Sequence, residues 1–153
     1  MAKQAEYDSL FERLDALCEG ETDEIALMAT IACELYQGFD RFDWVGFYRN
    51  AGGDLLKIGP YQGGHGCLTI PFSRGVCGRC ARERTAVNVP DVSKMPGHIA
   101  CSATTRSEIV VPVLEADGEL AAVLDIDSDE VAAFDEVDET NLARIGEYFR
   151  RDD

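Results

Sequence analysis

Two β-rich runs joined by a tight turn constrain the fold of this chain more than any other feature. The first run covers residues 107–114 and the second covers residues 119–126, and both are rich in Val, Leu and Ile. The segment between them, Ala116-Asp117-Gly118, contains the Asp-Gly dipeptide that is typical of a β-hairpin turn. The sequence therefore predicts an antiparallel pair of strands around which the rest of the chain must pack.

Further strands precede this hairpin, and helices flank them. Apolar residues at helical spacing predict a helix over residues 7–20 and a second one that follows a cap at Thr22-Asp23-Glu24 and ends at Gly38. Strands are predicted at residues 43–49, 55–58, 67–70 and 86–89, with a glycine-rich loop at 61–66, a short helix at 75–84 and a long loop at 91–105. These elements predict an α+β fold, with a central antiparallel sheet of about six strands and helices packed mainly on one face.

Length and charge restrict the functional class. The 153 residues are most simply one domain, with an N-terminal helical segment at 1–38, the sheet and its loops at 42–128, and a C-terminal helix at 134–150. The net charge of -15 repels nucleic acid and anionic membranes, and the basic residues form no stripe. The N-terminus has no apolar signal-peptide core and no apolar run reaches membrane-spanning length, so we expect a cytoplasmic protein.

The chain contains six cysteines, which we expect to be reduced at rest in the cytoplasm. Cys18 and Cys33 fall on or near apolar faces of predicted helices, and we interpret both as core residues. Cys67, Cys77 and Cys101 lie in the middle part of the chain, shortly before segments where acids interrupt apolar strands. Thiols and carboxylates in this arrangement predict redox chemistry on a small polar substrate.

Eight short motifs occur in order from residue 44 to residue 128. Together they resemble the GAF domain and, more narrowly, the free methionine-(R)-sulfoxide reductases, GAF-fold enzymes that reduce the free amino acid. The resemblance extends from about Trp44 to Phe149 and includes all three family cysteines. Cys80 is a departure, because the family does not require the pair Cys77-Gly78-Arg79-Cys80. The matching motifs are Trp44-Val45-Gly46-Phe47-Tyr48, Gly59-Pro60-Tyr61-Gln62-Gly63, Cys67-Leu68-Thr69-Ile70-Pro71-Phe72, Arg74-Gly75-Val76-Cys77-Gly78, Pro90-Asp91-Val92, Gly97-His98-Ile99-Ala100-Cys101, Arg106-Ser107-Glu108-Ile109-Val110-Val111-Pro112 and Val123-Leu124-Asp125-Ile126-Asp127-Ser128.

The resemblance implies a reductase of free L-methionine-(R)-S-oxide. It implies that Cys101 is the nucleophile and forms a sulfenic acid, and that Cys67 resolves it as an intramolecular disulfide, with Cys77 able to resolve in its place. His98, three residues before Cys101, is a candidate for stabilising its thiolate. Thioredoxin is implied as the reductant, no organic cofactor or metal is required, and a homodimer is one option for the assembly.

The resemblance also implies that Glu108, Asp125 and Asp127 contact the sulfoxide and amino ends of the substrate, without dividing these roles. Asp125 and Asp127 are two residues apart on a strand, so their side chains point to the same face. Burial and proximity raise the pKa of a carboxyl group, which then can donate a proton to the sulfoxide oxygen. Trp44 and Tyr48 are expected to wall the S-methyl side of the pocket.

Three other functions stay open at this point. A sensory GAF module that binds a cyclic nucleotide or tetrapyrrole is one, because fold alone does not establish function. A thioredoxin-like oxidoreductase built on Cys77 and Cys80 is another, although it requires a parallel βαβ setting that the hairpins argue against. The third is a tetrahedral zinc site, in which the pair Cys77 and Cys80 would be completed by Cys67, Cys101, His65 or His98.

Overall fold

The computed structural model describes residues 2–98 and 102–150, and within them the chain forms four α-helices and six β-strands. None of the helices in these two ranges is long and apolar enough to cross a membrane. Short 3-10 turns occupy Val92–Lys94 and Arg144–Phe149. In chain order the elements are α1 (Ala2–Leu17), α2 (Glu24–Gly38), β1 (Trp44–Gly52), β2 (Leu55–Gln62), β3 (Thr69–Pro71), α3 (Gly75–Glu83), β4 (Val87–Val89), β5 (Ser107–Leu114), β6 (Leu120–Ser128) and α4 (Glu136–Ala143).

The six strands form one antiparallel sheet in the order β3-β2-β1-β6-β5-β4. The predicted β5-β6 hairpin is present, and the Glu115 amide donates to the Glu119 carbonyl at 2.8 Å to close its turn. β6 also pairs with β1, so the two hairpins of the chain lie side by side in the middle of the sheet. The predicted α+β architecture is confirmed.

Each face of the sheet has its own apolar core, because successive side chains of a strand point to opposite faces. On one face, alternate residues of β1, β5 and β6 pack against α1, α2 and the C-terminal helical segment. On the other face, α3 covers the remaining alternate residues. The helices therefore lie mainly on one face, as predicted. Strand residues of the first core are Val45, Phe47, Ile109, Val111, Leu124 and Ile126, and those of the second are Trp44, Tyr48, Leu56, Ile70, Val110 and Val123.

A buried carboxylate ties the first helix to the last. Asp138 is fully buried and accepts hydrogen bonds from Lys3 Nζ at 2.6 Å, Tyr7 Oη at 2.6 Å and Arg41 Nη2 at 2.5 Å. The Asp135 amide donates a further bond to Asp138 Oδ2 at 3.0 Å. A buried charge is tolerated when it is paired and hydrogen-bonded in this way. The network fixes α1 on α4 and so closes the first core.

The prediction that the glycine-rich loop begins at residue 61 is wrong. β2 continues to Gln62, so Tyr61 belongs to the strand. β3 pairs with the residues of β2 from Leu55 to Lys57. The C-terminal half of β2 is therefore an edge of the sheet on the β3 side. Pro60 fits there because an edge position requires no ladder hydrogen bond from its nitrogen.

Three other boundaries also differ from the prediction. α1 begins at Ala2, five residues earlier than expected, and β3 begins two residues after Cys67. The predicted helix at 134–150 is α-helical only to Ala143 and continues as a 3-10 turn to Phe149. Gly146 lies within that turn, and glycine weakens an α-helix by about 1 kcal/mol relative to alanine.

Candidate active site

The sheet register brings three acidic side chains together. Asp125 and Asp127 lie two residues apart on β6 and share a face, as predicted. Glu108 on β5 is directly opposite Asp127, and Trp44 on β1 is opposite Asp127 on its other side. A row from Trp44 through Asp127 to Glu108 therefore crosses three neighbouring strands, on the face that α3 covers.

Helix α3 closes this row and places a thiol against it. Cys77 Sγ, one Glu108 carboxyl oxygen and one Asp125 carboxyl oxygen all lie within 4.8 Å of one another. Glu108 is 6% exposed, Asp125 is 4% exposed and Cys77 is buried. Together they form the floor of a small cavity, whose other lining residues include Asp127, His98, Ser102, Thr105, Ile70 and Val76.

Gly78 explains how α3 comes so close to the sheet. A Cβ at this position would lie 2.7 Å from the carbonyl oxygens of both Pro71 and Phe72. Real Cβ atoms do not approach backbone oxygens that closely, so a side chain here would push the helix away from β3. The glycine therefore sets the depth of Cys77 in the cavity.

Burial and mutual repulsion keep protons on the acid cluster. Burial, and then the neighbouring Asp127, raise the pKa of Glu108 well above its usual value. Burial and Glu108 raise the pKa of Asp125 in the same way, and burial and Asp125 raise the pKa of Asp127. Carboxyl groups with raised pKa values can donate protons near neutral pH.

His98 contacts the acid cluster directly. Its Nε2 lies 3.0 Å from Glu108 Oε1, and both side chains are largely buried. Burial lowers the pKa of His98, which favours the neutral imidazole. Sequence reasoning placed His98 beside Cys101 and missed this contact, because only the folded chain shows which acid it meets.

The aromatic wall predicted at Trp44 and Tyr48 is present and has a third member. The Trp44 ring stacks on Tyr48 with centroids 5.9 Å apart and on Tyr61 at 5.4 Å. Trp44 Nε1 donates to the Gly64 carbonyl at 2.8 Å, which fixes the indole on the glycine-rich loop. Tyr48 is buried, and burial followed by Asp125 raises its pKa. The sequence analysis missed Tyr61, although its alternation with Gly59 on β2 was a usable signal.

The cysteines from Cys67 onwards occupy different environments. Cys67 lies at the end of the glycine-rich loop, is half-buried and is disulfide-bonded. Cys77 and Cys80 carry free, buried thiols. Burial and Asp125 raise the pKa of Cys77 well above its usual value and that of Cys80 to about 12. The predicted nucleophile, Cys101, lies outside the described residues.

The alternative of a zinc site on the Cys77 and Cys80 pair finds no support in the described part of the chain. Potential metal ligands cluster there around Cys77, but Cys80 is not among them. His65, named above as a possible completing ligand, is exposed on the glycine-rich loop. Cys80 instead packs in the second core beside Ala81 and Val87.

One protein-family model matches a part of the chain that includes the whole sheet and α3. Residues 20–150 match the family model described as GAF domain. Protein YtsP of Bacillus subtilis is 42% identical over 147 residues, which cover 95% of this chain and 89% of that protein. The free methionine-R-sulfoxide reductase of Escherichia coli is 37% identical over 145 residues, which cover 95% of this chain and 87% of that enzyme. The X-ray structure of the free methionine-R-sulfoxide reductase from Neisseria meningitidis in complex with its substrate has a TM-score of 0.90 at 41% identity, covering 96% of this chain and 87% of that one.

Proposed function

The chain belongs to the GAF domain family and, within it, to the free methionine-(R)-sulfoxide reductases, and on that premise we propose that it reduces free L-methionine-(R)-sulfoxide with thioredoxin as reductant. The observation that carries the proposal is the acid cluster beside the Trp44 wall, in which Glu108 and Asp125 are buried and Asp127 is half-buried. The oxygen of a sulfoxide accepts hydrogen bonds, which suits the proton-donating carboxyl groups of the cluster. The methyl group on its sulfur suits the aromatic wall. This proposal makes the protein an oxidoreductase that acts on methionine sulfoxide.

Proton donation to the sulfoxide oxygen is assigned to Glu108, with Asp125 as its buried partner. The raised pKa values support this assignment, because a neutral carboxylic acid can give its proton as the S–O bond breaks. The hydrogen bond between His98 and Glu108 fixes the orientation of the Glu108 carboxyl group. General acid catalysis by a positioned carboxyl contributes about 10²–10⁴-fold to the rate.

Recognition of the ammonium group is assigned to Asp127. This residue lines both the enclosed cavity and a more open cleft beside Trp44, His65 and Thr104. Its Oδ1 has no hydrogen-bond partner within residues 2–98 and 102–150, so it is available to a cationic donor. An amino acid that inserts its sulfoxide end first would place its ammonium group at this mouth.

The redox steps are assigned to Cys101 and Cys67. The Cys101 thiolate attacks the sulfoxide sulfur, the oxygen is transferred to give Cys101 sulfenic acid, and methionine leaves. The Cys67 thiol then displaces this oxygen as water and forms a disulfide with Cys101, and two electrons from the thioredoxin dithiol reduce that disulfide. The disulfide bond of Cys67 supports its assignment as the resolving residue. The raised pKa of Cys77 makes it a poor nucleophile, which argues for its role as a wall of the acid cluster.

A coupled assay tests the reaction. NADPH consumption with thioredoxin and thioredoxin reductase is measured with free methionine-(R)-sulfoxide, its S epimer and a peptide-bound sulfoxide. We expect turnover of the free R form alone. Absence of turnover with all three substrates, in protein shown to be folded and reduced, would contradict the proposed function.

Two cysteine variants test the mechanism, with Cys33→Ser as the matched control. Cys101→Ser should abolish methionine formation, and Cys67→Ser should release one equivalent of methionine without recycling by thioredoxin. Cys33 is a free thiol on α2, remote from the cavity lining, so its replacement should leave turnover unchanged. Normal cycling of the Cys67→Ser variant would refute the resolving role.

A further inference from the structure

Cys77, Glu108 and Asp125 have the donor set of a metal site as well as that of a proton donor. We propose that the thiol-reduced protein binds one zinc ion through the Cys77 thiolate and one carboxylate oxygen each of Glu108 and Asp125. The three ligand atoms already lie within 4.8 Å of one another. A tetrahedral zinc ion with one sulfur ligand at about 2.3 Å and oxygen ligands at about 2.0–2.2 Å needs ligand separations of roughly 3.2–3.7 Å. Side-chain rotations that close the group by about 1 Å therefore suffice.

The acidic lining of the cavity and a carboxyl oxygen without a hydrogen-bond partner point to a cation at this place. Asp125 is 4% exposed, lines the cavity, and its Oδ1 has no hydrogen-bond partner among the described residues. The cavity lining within residues 2–98 and 102–150 contains three carboxyl groups and a thiol, and neither lysine nor arginine. A divalent cation would satisfy the orphan oxygen and would displace the protons that burial keeps on the three ligands, so binding should strengthen as the pH rises.

His98 gives one of the proposed ligands a fixed orientation. Its ring nitrogen lies 3.0 Å from Glu108 Oε1, and this hydrogen bond restricts the rotation of the Glu108 carboxyl group. Outer-shell partners of this kind typically contribute 10–100-fold to metal affinity. The mixture of one thiolate and two carboxylates favours zinc over the harder ions magnesium and calcium.

Zinc at this position would also stop the proposed reaction. The ion would occupy Glu108 and Asp125, which the proposed function assigns to the sulfoxide oxygen, so zinc and sulfoxide should exclude each other. This consequence rests on the proposed function, whereas binding itself does not. The fourth coordination position would face the cavity and be filled by water.

Cobalt(II) titration of the reduced, desalted protein under anaerobic conditions tests the binding. Cobalt occupies zinc sites and shows a near-ultraviolet thiolate-to-metal charge-transfer band when a cysteine is bound. We expect one equivalent of cobalt to produce this band, and one equivalent of zinc to abolish it. Magnesium and calcium should leave it unchanged.

Matched variants identify the ligands independently of enzyme activity. Cys77→Ser should remove the charge-transfer band, Asp125→Asn should weaken zinc binding, and His98→Gln should weaken it by about 10–100-fold. Cys80→Ser, a buried thiol on the same helix, should behave like the wild type, and thermal melts confirm that each variant is folded. A band that survives Cys77→Ser, or that depends on Cys67 instead, would overturn the proposal. So would the absence of any band in the folded, reduced wild type.

A competition arm separates this proposal from the proposed function. If both hold, zinc should inhibit sulfoxide turnover, and excess methionine sulfoxide should lower the cobalt band. If the band forms but no sulfoxide is ever reduced, the metal site stands and the proposed reaction fails. If turnover is normal and zinc does not bind in the cavity, the proposed reaction stands and the metal site fails.

Discussion

Replacing Gly46 with alanine tests whether the aromatic wall positions the substrate. Gly46 lies on β1 opposite Asp125, and a Cβ there would lie 2.6 Å from Tyr61 Cβ and overlap the ring of Trp44. Real carbon atoms do not approach that closely, so the indole or β2 must move by roughly 1 Å. The three atoms nearest to the added methyl group belong to Trp44 and Tyr61, so the substitution displaces the wall first.

The size of the effect follows from these contacts. Overpacking of this kind costs about 1–3 kcal/mol, and strain on the 2.8 Å bond from Trp44 Nε1 to Gly64 adds about 0.5–1.5 kcal/mol. The lower entropy of the unfolded alanine chain offsets about 0.4–1 kcal/mol. We expect a net destabilisation of roughly 1–4 kcal/mol, which lowers Tm by about 2–15 °C. A 1 Å displacement at a substrate contact should lower kcat/KM by about 10²-fold.

The assay uses the single tryptophan of the chain. Because Trp44 is the only source of tryptophan emission, its fluorescence reports on the wall alone, and the coupled assay reports on kcat/KM. Gly64→Ala is the matched control, since nothing lies within 4 Å of the added Cβ. We expect Gly46→Ala to change emission, Tm and kcat/KM together, and Gly64→Ala to change none of them. Wild-type emission and kinetics in Gly46→Ala would refute the role of the wall.

Three further changes test other parts of the structure. Asp125→Asn should lower kcat by about 10²–10⁴-fold in the coupled assay, while Asp117→Asn in the exposed turn between β5 and β6 should not; equal kinetics would remove Asp125 from proton transfer. Cys80, with its pKa raised to about 12, should resist iodoacetamide in the native protein, whereas the half-buried Cys33 should be labelled, as peptide mass spectrometry can show. Asp138→Asn should lower the free energy of unfolding by about 1.5–3 kcal/mol in urea titrations, because it weakens the charged hydrogen bonds from Lys3 and Arg41, which keep only the more exposed Asp135 and Glu6; an unchanged midpoint would contradict that account.

Local patterns were sufficient to predict the elements that carry the site. The β-rich runs at residues 107–114 and 119–126, with Asp-Gly between them, predict the hairpin, and spacing by two predicts that Asp125 and Asp127 share a face. The cap predicted at Thr22-Asp23-Glu24 is also confirmed, with Asp23 as the capping residue, since its side chain accepts from the Ala26 amide at 3.0 Å. In each case the physical cause acts between residues close in the chain.

The contacts that complete the site depend on residues far apart in the chain. Glu108 meets Asp127 because of the β5-β6 register, and a bulge at Val113 and Leu114 shifts that register, so counting back from the turn does not give the pairing. The contact between His98 and Glu108 requires a long loop to fold back on the sheet. Neither has a signal in local spacing.

The division of the sheet into two unlike faces has a consequence for how this protein can change. The apolar core under α1, α2 and α4 lies on one side of the sheet, while the acid cluster, the indole and the Cys77 thiol lie on the other. Substitutions on the α3 side that leave the packing of the shared strands unchanged therefore alter the site without reaching the core under those three helices. The pocket of such a protein can be altered by single substitutions, in evolution or by design, while the three supporting helices stay unchanged.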